Sequence, residues 1–345
     1  MTIVWVLGSA GLLGSALCRA LRADGTELFV PAQRFSWHLP LELSDQISAA
    51  VTAFAHGAQA AQRWEIHWAA GIGTMGSTAD ALAPETRALA LLLELLQREP
   101  RLMAIPGALS FASSAGAIYA GCSDEFITEQ SCIAPTTAYA VEKLRQEDLL
   151  QAFVAAHPST AALIARISTL YGAGQATGKK QGLLGHMARS IIRNQPIQIY
   201  VPFDTIRDYI DADDAALAMI GVMRSINPDS PVIIKIIASE SPTTIAEIVS
   251  IFKRLARRTP LVVRSANRLS TLYSRRVKYR SRVRSAFARP LGKRLAVGIS
   301  QLMRAEHLAF IKGPDTPAME AASMPGKIAG SVPQATTLQA SGHEA

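Results

Sequence analysis

Tyr139 and Lys143 stand four residues apart in the run Thr136-Thr137-Ala138-Tyr139-Ala140-Val141-Glu142-Lys143. The run follows Pro135 and continues through Leu149 and Leu150, which predicts a helix with both side chains on one face. An ammonium beside a phenol favours phenolate and draws the Tyr pKa down toward neutrality. A phenol tuned this way can give a proton to a ketone or take one from a hydroxyl. The spacing alone is also what a surface Tyr lying along a Lys stem would produce, so its meaning depends on its surroundings.

A second group with chemical content is Gly8-x-x-Gly11-x-x-Gly14, placed directly after an apolar strand (2–7) and opening a helix that runs to about residue 22. Gly8 permits a tight turn, Gly11 lets backbone approach a pyrophosphate, and Gly14 lets helix pack on strand, with the helix N-terminus meeting the phosphate charge. Binders of NAD usually carry an acid at the end of the next strand (27–31). Here Ala32, Gln33 and Arg34 follow it, and the first acid is Glu42. A guanidinium suits a ribose 2′-phosphate, so NADP(H) is expected over NAD(H), through Arg34.

The elements that would position these groups alternate. Strands are predicted at 64–68, 109–112 and 161–168, and helices at 47–61 and 85–97, with the Tyr139 helix between the last two strands. That alternation argues for a parallel sheet covered by helices on both faces. From residue 174 the pattern changes to a loop, a helix (183–193), short strands (197–201 and 232–237), a helix (244–256) and a further helical stretch within 284–311. The predicted division is 1–173 for the dinucleotide-binding part, with later strands from about 197–240 contributing to it. The substrate-binding region with basic C-terminal helices takes 174–312, and 313–345, rich in Ala, Ser, Pro and Thr, is expected to be a disordered tail.

With 345 residues, 49% of them hydrophobic and 18% charged, the chain can bury a sizeable core. No apolar run is long enough to cross a bilayer, and the start reads as a strand rather than a signal peptide. Cys18, Cys122 and Cys132 have neither metal-ligand spacing nor a disulfide pattern, so no metal and a reducing cytoplasm are expected. Much of the net charge of +8 lies between Arg264 and Arg294, including Arg268, Arg275, Arg276, Lys278, Arg280, Arg282, Arg284, Arg289 and Lys293. This is either a solvated helical face or a contact for an anionic partner such as a membrane surface. The scarcity of interleaved aromatics argues against nucleic acid.

Further motifs occur in a fixed order with these. They are Leu41-Glu42-Leu43-Ser44-Asp45, His67-Trp68-Ala69-Ala70, Ser113-Ser114-Ala115-Gly116-Ala117-Ile118-Tyr119, Arg166-Ile167-Ser168-Thr169-Leu170-Tyr171-Gly172 and Arg207-Asp208-Tyr209-Ile210-Asp211. From the N-terminus to about residue 260 the set resembles the extended short-chain dehydrogenase/reductase family, in its NAD-dependent epimerase/dehydratase branch acting on nucleotide sugars. The resemblance implies an α/β fold, a Rossmann-type doubly wound parallel sheet with a smaller C-terminal substrate domain, and a homodimer joined by helices that include the Tyr139 one.

It also implies roles. Gly8, Gly11, Leu12, Leu13 and Gly14 would wrap the pyrophosphate, Glu42 and Leu43 would sit by the adenine, and Ala69, Ala70, Gly71 and Ile167 would line the rest of the cofactor site. Tyr139 would be the acid/base, and Lys143 would hold the nicotinamide ribose. Ser114, with Ser113 in reserve, would hydrogen-bond the reacting oxygen. Thr169 would contact substrate, and Arg207 would grip its diphosphate. The chain departs from the family pattern at Ala115, where a hydroxyl is common, at Glu85 and Thr169, where Asn is common, and at Glu42, where Asp is common. Gly116 and Ala117 replace the acidic pair of the dehydratases, so dehydration is not expected. His67 reads as a packed residue at a strand end.

The function implied is an NAD(P)-dependent epimerase or 4-keto reductase, moving a hydride at a carbon of a nucleotide-diphosphate sugar, with C4 the expected carbon. The rivals are a non-catalytic dinucleotide-binding sensor and a reductase of a non-sugar carbonyl.

Overall fold

The computed structural model describes residues 1–173, 182–227, 229–264, 276–283 and 294–312. In chain order its elements are β1 (Thr2–Leu7), α1 (Leu12–Ala23), β2 (Leu28–Phe29), α2 (Pro40–Gly57), β3 (Arg63–Trp68), α3 (Ala79–Gln97), α4 (Pro100–Met103), β4 (Gly107–Ser114), α5 (Ala115–Ile118), α6 (Ala138–Ala156) and β5 (Thr160–Ile167). They continue with β6 (Thr169–Tyr171), α7 (Leu183–Ile192), β7 (Ile197–Ile199), β8 (Ile206–Arg207), β9 (Tyr209–Asp211), α8 (Ala212–Arg224), β10 (Val232–Ile237), β11 (Thr243–Thr244), α9 (Ile245–Ala256), β12 (Val262–Arg264) and α10 (Leu295–Lys312).

Six strands form one parallel sheet in the order β2-β1-β3-β4-β5-β10. The chain runs outward from β1 to β2, then crosses back to β3 on the other side of β1. The strand order therefore reverses at β1, and such a switch point opens a crevice at the carboxyl ends of the strands. Alternation explains why both faces are buried. Trp5 and Leu7 of β1, Ile66 of β3, Phe111 of β4 and Ile164 of β5 join one core with α2, α3 and α6. Val4, Val6, Leu163 and Ala165 point the other way, into a core with α1 and the Ala-rich α8. Each fully buried Leu or Ile in these layers contributes about 1.5–3 kcal/mol. Trp64 is accommodated because Gly107 lies flat against its indole, where a Cβ would come within 2.0 Å of the ring, and its Nε1–H donates to the Leu102 carbonyl at 2.9 Å.

Two element boundaries differ from the sequence reading. The helix predicted at 47–61 begins at Pro40, because Pro at the first helical position pre-sets φ and Glu42 in the first turn complements the helix dipole. The second strand shrinks to Leu28–Phe29, which pairs only with β1 at the sheet edge, and Pro31 offers no N–H to extend it. Of the later strands expected to serve the first region, β10 forms the sheet's far edge along β5, whereas β7 pairs with β12 in a separate two-stranded sheet.

Helices α7, α9 and α10 and strand β7 pack around a third core of Met187, Ile191, Ile199, Ile248, Phe252 and Leu302. Residues 276–283 cross from this region to the main sheet. Val277 N–H donates to the Ile206 carbonyl at 3.3 Å, and Ile127 exchanges bonds with Lys278 (2.8 Å) and Arg280 (2.9 Å). The Glu129 carboxylate accepts from Ser281 Oγ (2.6 Å), Arg282 N–H (2.8 Å) and, on β10, Ile236 N–H (2.9 Å).

The described part of the basic stretch is thus tied down: Lys278 pairs with Glu125 at 3.1 Å, and the Arg280 guanidinium lies 4.3 Å over the Phe126 ring. Arg268, Arg275, Arg284, Arg289, Lys293 and the tail 313–345 lie outside the described residues. Among the described residues no helix is long and apolar enough to cross a membrane.

Candidate active site

At the carboxyl ends of β1 and β3 the glycine turn meets the Ala69–Gly71 segment. Gly8 has φ +80°, and a Cβ there would lie 2.6 Å from the Ala69 carbonyl oxygen and the Ala70 nitrogen. A Cβ at Gly14 would lie 2.1 Å from the Gly8 carbonyl oxygen. Gly11 caps α1 with no side-chain hydrogen bond, and the first amide bonded back to it is that of Ser15, at 2.9 Å. The amides of Leu12, Leu13 and Gly14 therefore head the helix at a turn whose glycines leave the backbone open to close approach, and that arrangement fits a dinucleotide pyrophosphate.

Beyond β2, Arg34 is exposed on the loop that leads to α2. Glu42 lies in the first turn of α2, where its carboxylate accepts from Ser36 Oγ (2.8 Å) and Gln46 Nε2 (3.0 Å). The Leu43 side chain is buried in the core.

Across the switch point, β4 and β5 end side by side, with Ser114 in register with Ile167. Helix α6 starts at Ala138 because the Thr137 hydroxyl caps it, accepting from Ala140 N–H at 3.2 Å. This puts Tyr139 in the first turn with its ring against Gly73, where a Cβ would come 3.1 Å from Tyr139 Cδ2. The Ser114 hydroxyl faces the Tyr139 phenol closely enough to favour its ionised form. The neighbouring Ser113 is engaged elsewhere, donating to Glu147 Oε1 at 2.5 Å.

Lys143 is buried one turn below Tyr139. Its ammonium sits 5.8 Å from the Tyr139 ring centroid and 4.9 Å from that of Phe111, and it donates to Gln146 Oε1 at 3.0 Å. Beneath it the buried Glu147 carboxylate takes two bonds from Arg166, at 3.1 and 2.7 Å, and Arg166 also donates to the Tyr119 hydroxyl at 2.6 Å.

The protonation balance differs from the sequence expectation. The Tyr139 phenol is pushed up rather than down, mainly by burial and then by the Glu85 carboxylate, with the nearby Ser114 hydroxyl opposing. Burial lowers Lys143, while Glu85 and Glu147 hold its charge.

Glu85 is the residue to which sequence reasoning assigned no role. Its Oε1 accepts from the Ile72 and Gly73 amides at 2.6 and 2.7 Å. A signal for it exists: Leu82 and Leu89, three before and four after, are both buried, so Glu85 shares the inward side of α3.

On the substrate side, Arg207 Nη1 donates to the Ile206 carbonyl at 2.9 Å. Its neighbour Asp208 is a buried hub, accepting from Ser168 Oγ (2.6 Å), Ser239 N–H and Oγ (2.9 Å each) and Ser241 N–H (3.1 Å). Thr169 is exposed on β6. The Tyr279 hydroxyl, from the crossing segment, lies above the Gly116 turn, 3.9 Å from where a Cβ would stand.

His67 is fully buried, its Nδ1 2.7 Å from Ser110 Oγ. Burial, and then Arg224, lower its pKa to about 3, so it is a neutral packed residue. The three cysteines are free, and among the described residues no cluster could hold a metal.

Over 108 residues (31% of this chain and 34% of the relative) the chain is 34% identical to the dTDP-4-dehydro-6-deoxyglucose reductase of Escherichia coli, so the match spans about a third of that relative. Among solved structures it is similar to the UDP-glucose 4-epimerase of Thermotoga maritima with UDP-glucose (17% identity, 91% of this chain and 100% of that one, TM-score 0.72). It is also similar to the UDP-glucose 4-epimerase of Thermus thermophilus with NAD (18%, 89% and 99%, TM-score 0.70) and to RMD from Pseudomonas aeruginosa with NADPH (18%, 90% and 100%, TM-score 0.70). At these identities the structures establish a shared fold. The sequence itself matches the model of the NAD dependent epimerase/dehydratase family over residues 4–236, and the chain belongs to that family.

Proposed function

We propose that the chain is an NAD(P)(H)-dependent nucleotide-sugar epimerase or 4-keto reductase that moves a hydride at C4 of the hexose, with Tyr139 as acid/base. The observation that carries this reading is the meeting of Ser114 of β4 with Tyr139 and Lys143 of α6, Tyr139 lying against Gly73 of the same 69–73 segment whose Ala69 and Ala70 abut Gly8 of the glycine turn. The Gly8–Gly14 cradle would hold the pyrophosphate, and Lys143 the nicotinamide ribose. Once bound, the nicotinamide supplies or accepts the hydride. Tyr139 gives or takes the proton on the sugar oxygen, Ser114 fixes that oxygen, and Arg207 pairs with the diphosphate, whose geometry a guanidinium fork matches. The relatives solved with UDP-glucose support a nucleotide-sugar substrate.

Arg34, exposed on the loop beyond β2, favours NADP(H). Titration should show NADPH binding tighter than NADH, and Arg34→Ala should weaken NADPH on the order of tenfold, the size of one charge-assisted hydrogen bond, while leaving NADH unchanged. Tighter binding of NADH by the unmodified protein would remove this assignment. Mass spectrometry of dinucleotide released on denaturation separates the two reactions. Retained NAD points to an epimerase, which regenerates its cofactor. An empty site that binds added NADPH points to a reductase, to be followed by a screen of 4-keto nucleotide sugars.

A further inference from the structure

We infer that Glu85 is a positioning residue that keeps Tyr139 as the neutral phenol and thereby sets the site to start from a sugar carbonyl rather than a sugar hydroxyl. This deepens the reading above and rests on it.

The geometry is a three-part stack. The Glu85 carboxylate binds the amides of Ile72 and Gly73, and Gly73 is pressed between that carboxylate and the Tyr139 ring. Glu85 Oε2 also lies 3.1 Å from where a Cβ would stand on Gly71, which has φ +152°, so the loop is moulded around the carboxylate. Among the described residues, the charged groups acting on Tyr139 and Lys143 are Glu85 from α3 and Glu147 on α6 itself, with Arg166 of β5 pairing with Glu147 from behind; the uncharged Ser114 hydroxyl faces the phenol from β4. Glu85 is therefore the negative charge set against the phenol, adding to the larger effect of burial, and the same carboxylate helps hold the charge on Lys143.

A negative neighbour disfavours phenolate, just as the ammonium favours it. In a reduction the carbonyl carbon receives hydride from the reduced dinucleotide, which is oxidised. The carbonyl oxygen takes the Tyr139 proton, and the C=O π pair forms the new O–H bond. Tyr139 is left as phenolate and regains its proton from solvent. That sequence needs the phenol at the outset. An epimerase must first remove a proton from a hydroxyl and needs the phenolate. Glu85 biases the resting site toward the first.

The test is Glu85→Gln, whose amide oxygen can still accept from both backbone amides while the charge is gone. Glu147 continues to balance Lys143. In protein saturated with oxidised dinucleotide, the phenolate absorbance that Tyr139→Phe abolishes should develop about one pH unit lower in Glu85→Gln than in the unmodified chain. The alkaline limb of kcat/KM for reduction of a 4-keto nucleotide sugar should fall by the same amount.

Glu85→Asn, also neutral, gives a second reading if the Gln variant folds poorly. A Tyr139 transition at unchanged pH, or a rate loss uniform across pH, would overturn the inference and leave Glu85 as a structural cap. The two readings fail separately. Absence of any Tyr139-dependent turnover in the unmodified protein removes the proposed function, while the absorbance measurement still judges Glu85.

Discussion

Tyr139→Phe is expected to lower turnover by about 10²- to 10⁴-fold, the range for loss of a positioned acid/base, while dinucleotide affinity stays within a few-fold. The substitution removes one hydroxyl and little else. The ring remains, so its contact with Gly73 persists, and Lys143 keeps its bond to Gln146 Oε1 at 3.0 Å. Neither the glycine cradle nor the Ala69–Ala70 contact involves the phenol. The hydroxyl that disappears is the one that Ser114 faces. Steady-state kinetics on a 4-keto nucleotide sugar, read beside a fluorescence titration of NADPH, separates chemistry from binding. Turnover within fivefold of the unmodified chain would remove Tyr139 from the mechanism, and joint loss of turnover and cofactor binding would indicate a folding defect instead.

Glu147→Ala should be the most damaging single change for stability, costing about 3–5 kcal/mol, the usual penalty for leaving a buried charge without its partner. The Glu147 and Arg166 side chains are only 2% and 3% exposed, and the carboxylate also receives the Ser113 hydroxyl. Its loss strands the Arg166 guanidinium, with the Tyr119 hydroxyl as its remaining side-chain acceptor among the described residues. It also takes away one of the two carboxylates that hold the charge on Lys143. Denaturant unfolding of Glu147→Ala, Arg166→Ala and the double variant tests this. The double variant should be less destabilised than the sum of the singles, because removing both charges leaves none unpaired. A Glu147→Ala cost under about 1 kcal/mol would show that water or a moved side chain replaces the pair.

The alternation of apolar strands with helices made the parallel sheet legible, since β1, β4 and β5 are apolar on both faces, as strands covered on both sides must be. The glycine turn was legible for the same local reason: its spacing and its position after a strand are sequence properties. Helix α6 was harder. It buries Glu142, Lys143, Gln146 and Glu147, residues that periodicity assigns to solvent: Glu142 pairs with Arg145, Lys143 with Gln146, Gln146 with Thr86 of α3, and Glu147 with Arg166 across the sheet end. No local pattern encodes the remote partners Thr86 and Arg166. The sign of the Tyr139 shift was missed for the same reason. The Tyr–Lys spacing is visible along one helix, whereas the burial that mainly raises the phenol, and the Glu85 carboxylate of α3 that adds to it, come from elements elsewhere in the chain. The choice between Ser113 and Ser114 likewise turned on a partner 34 positions away, Glu147.

The segment 276–283 has a bearing on the order in which the molecule can be assembled. It fastens to Ile127, Glu129 and Ile206, and its bond from Ser281 to Glu129 joins residues 152 apart. Such separation adds little thermodynamic cost, because each doubling of the intervening chain adds only about 0.6 kcal/mol. It does cost time, since contacts remote in sequence form late. During synthesis the glycine cradle, β3 and the start of α6 have all left the ribosome well before residue 276. The wall over the Gly116 turn is therefore put up last, after the dinucleotide side of the cleft. A nascent chain halted before this segment would keep every strand of the main sheet yet leave Glu129 without Ser281 and Arg282, so a finished cleft certifies that translation has passed that point.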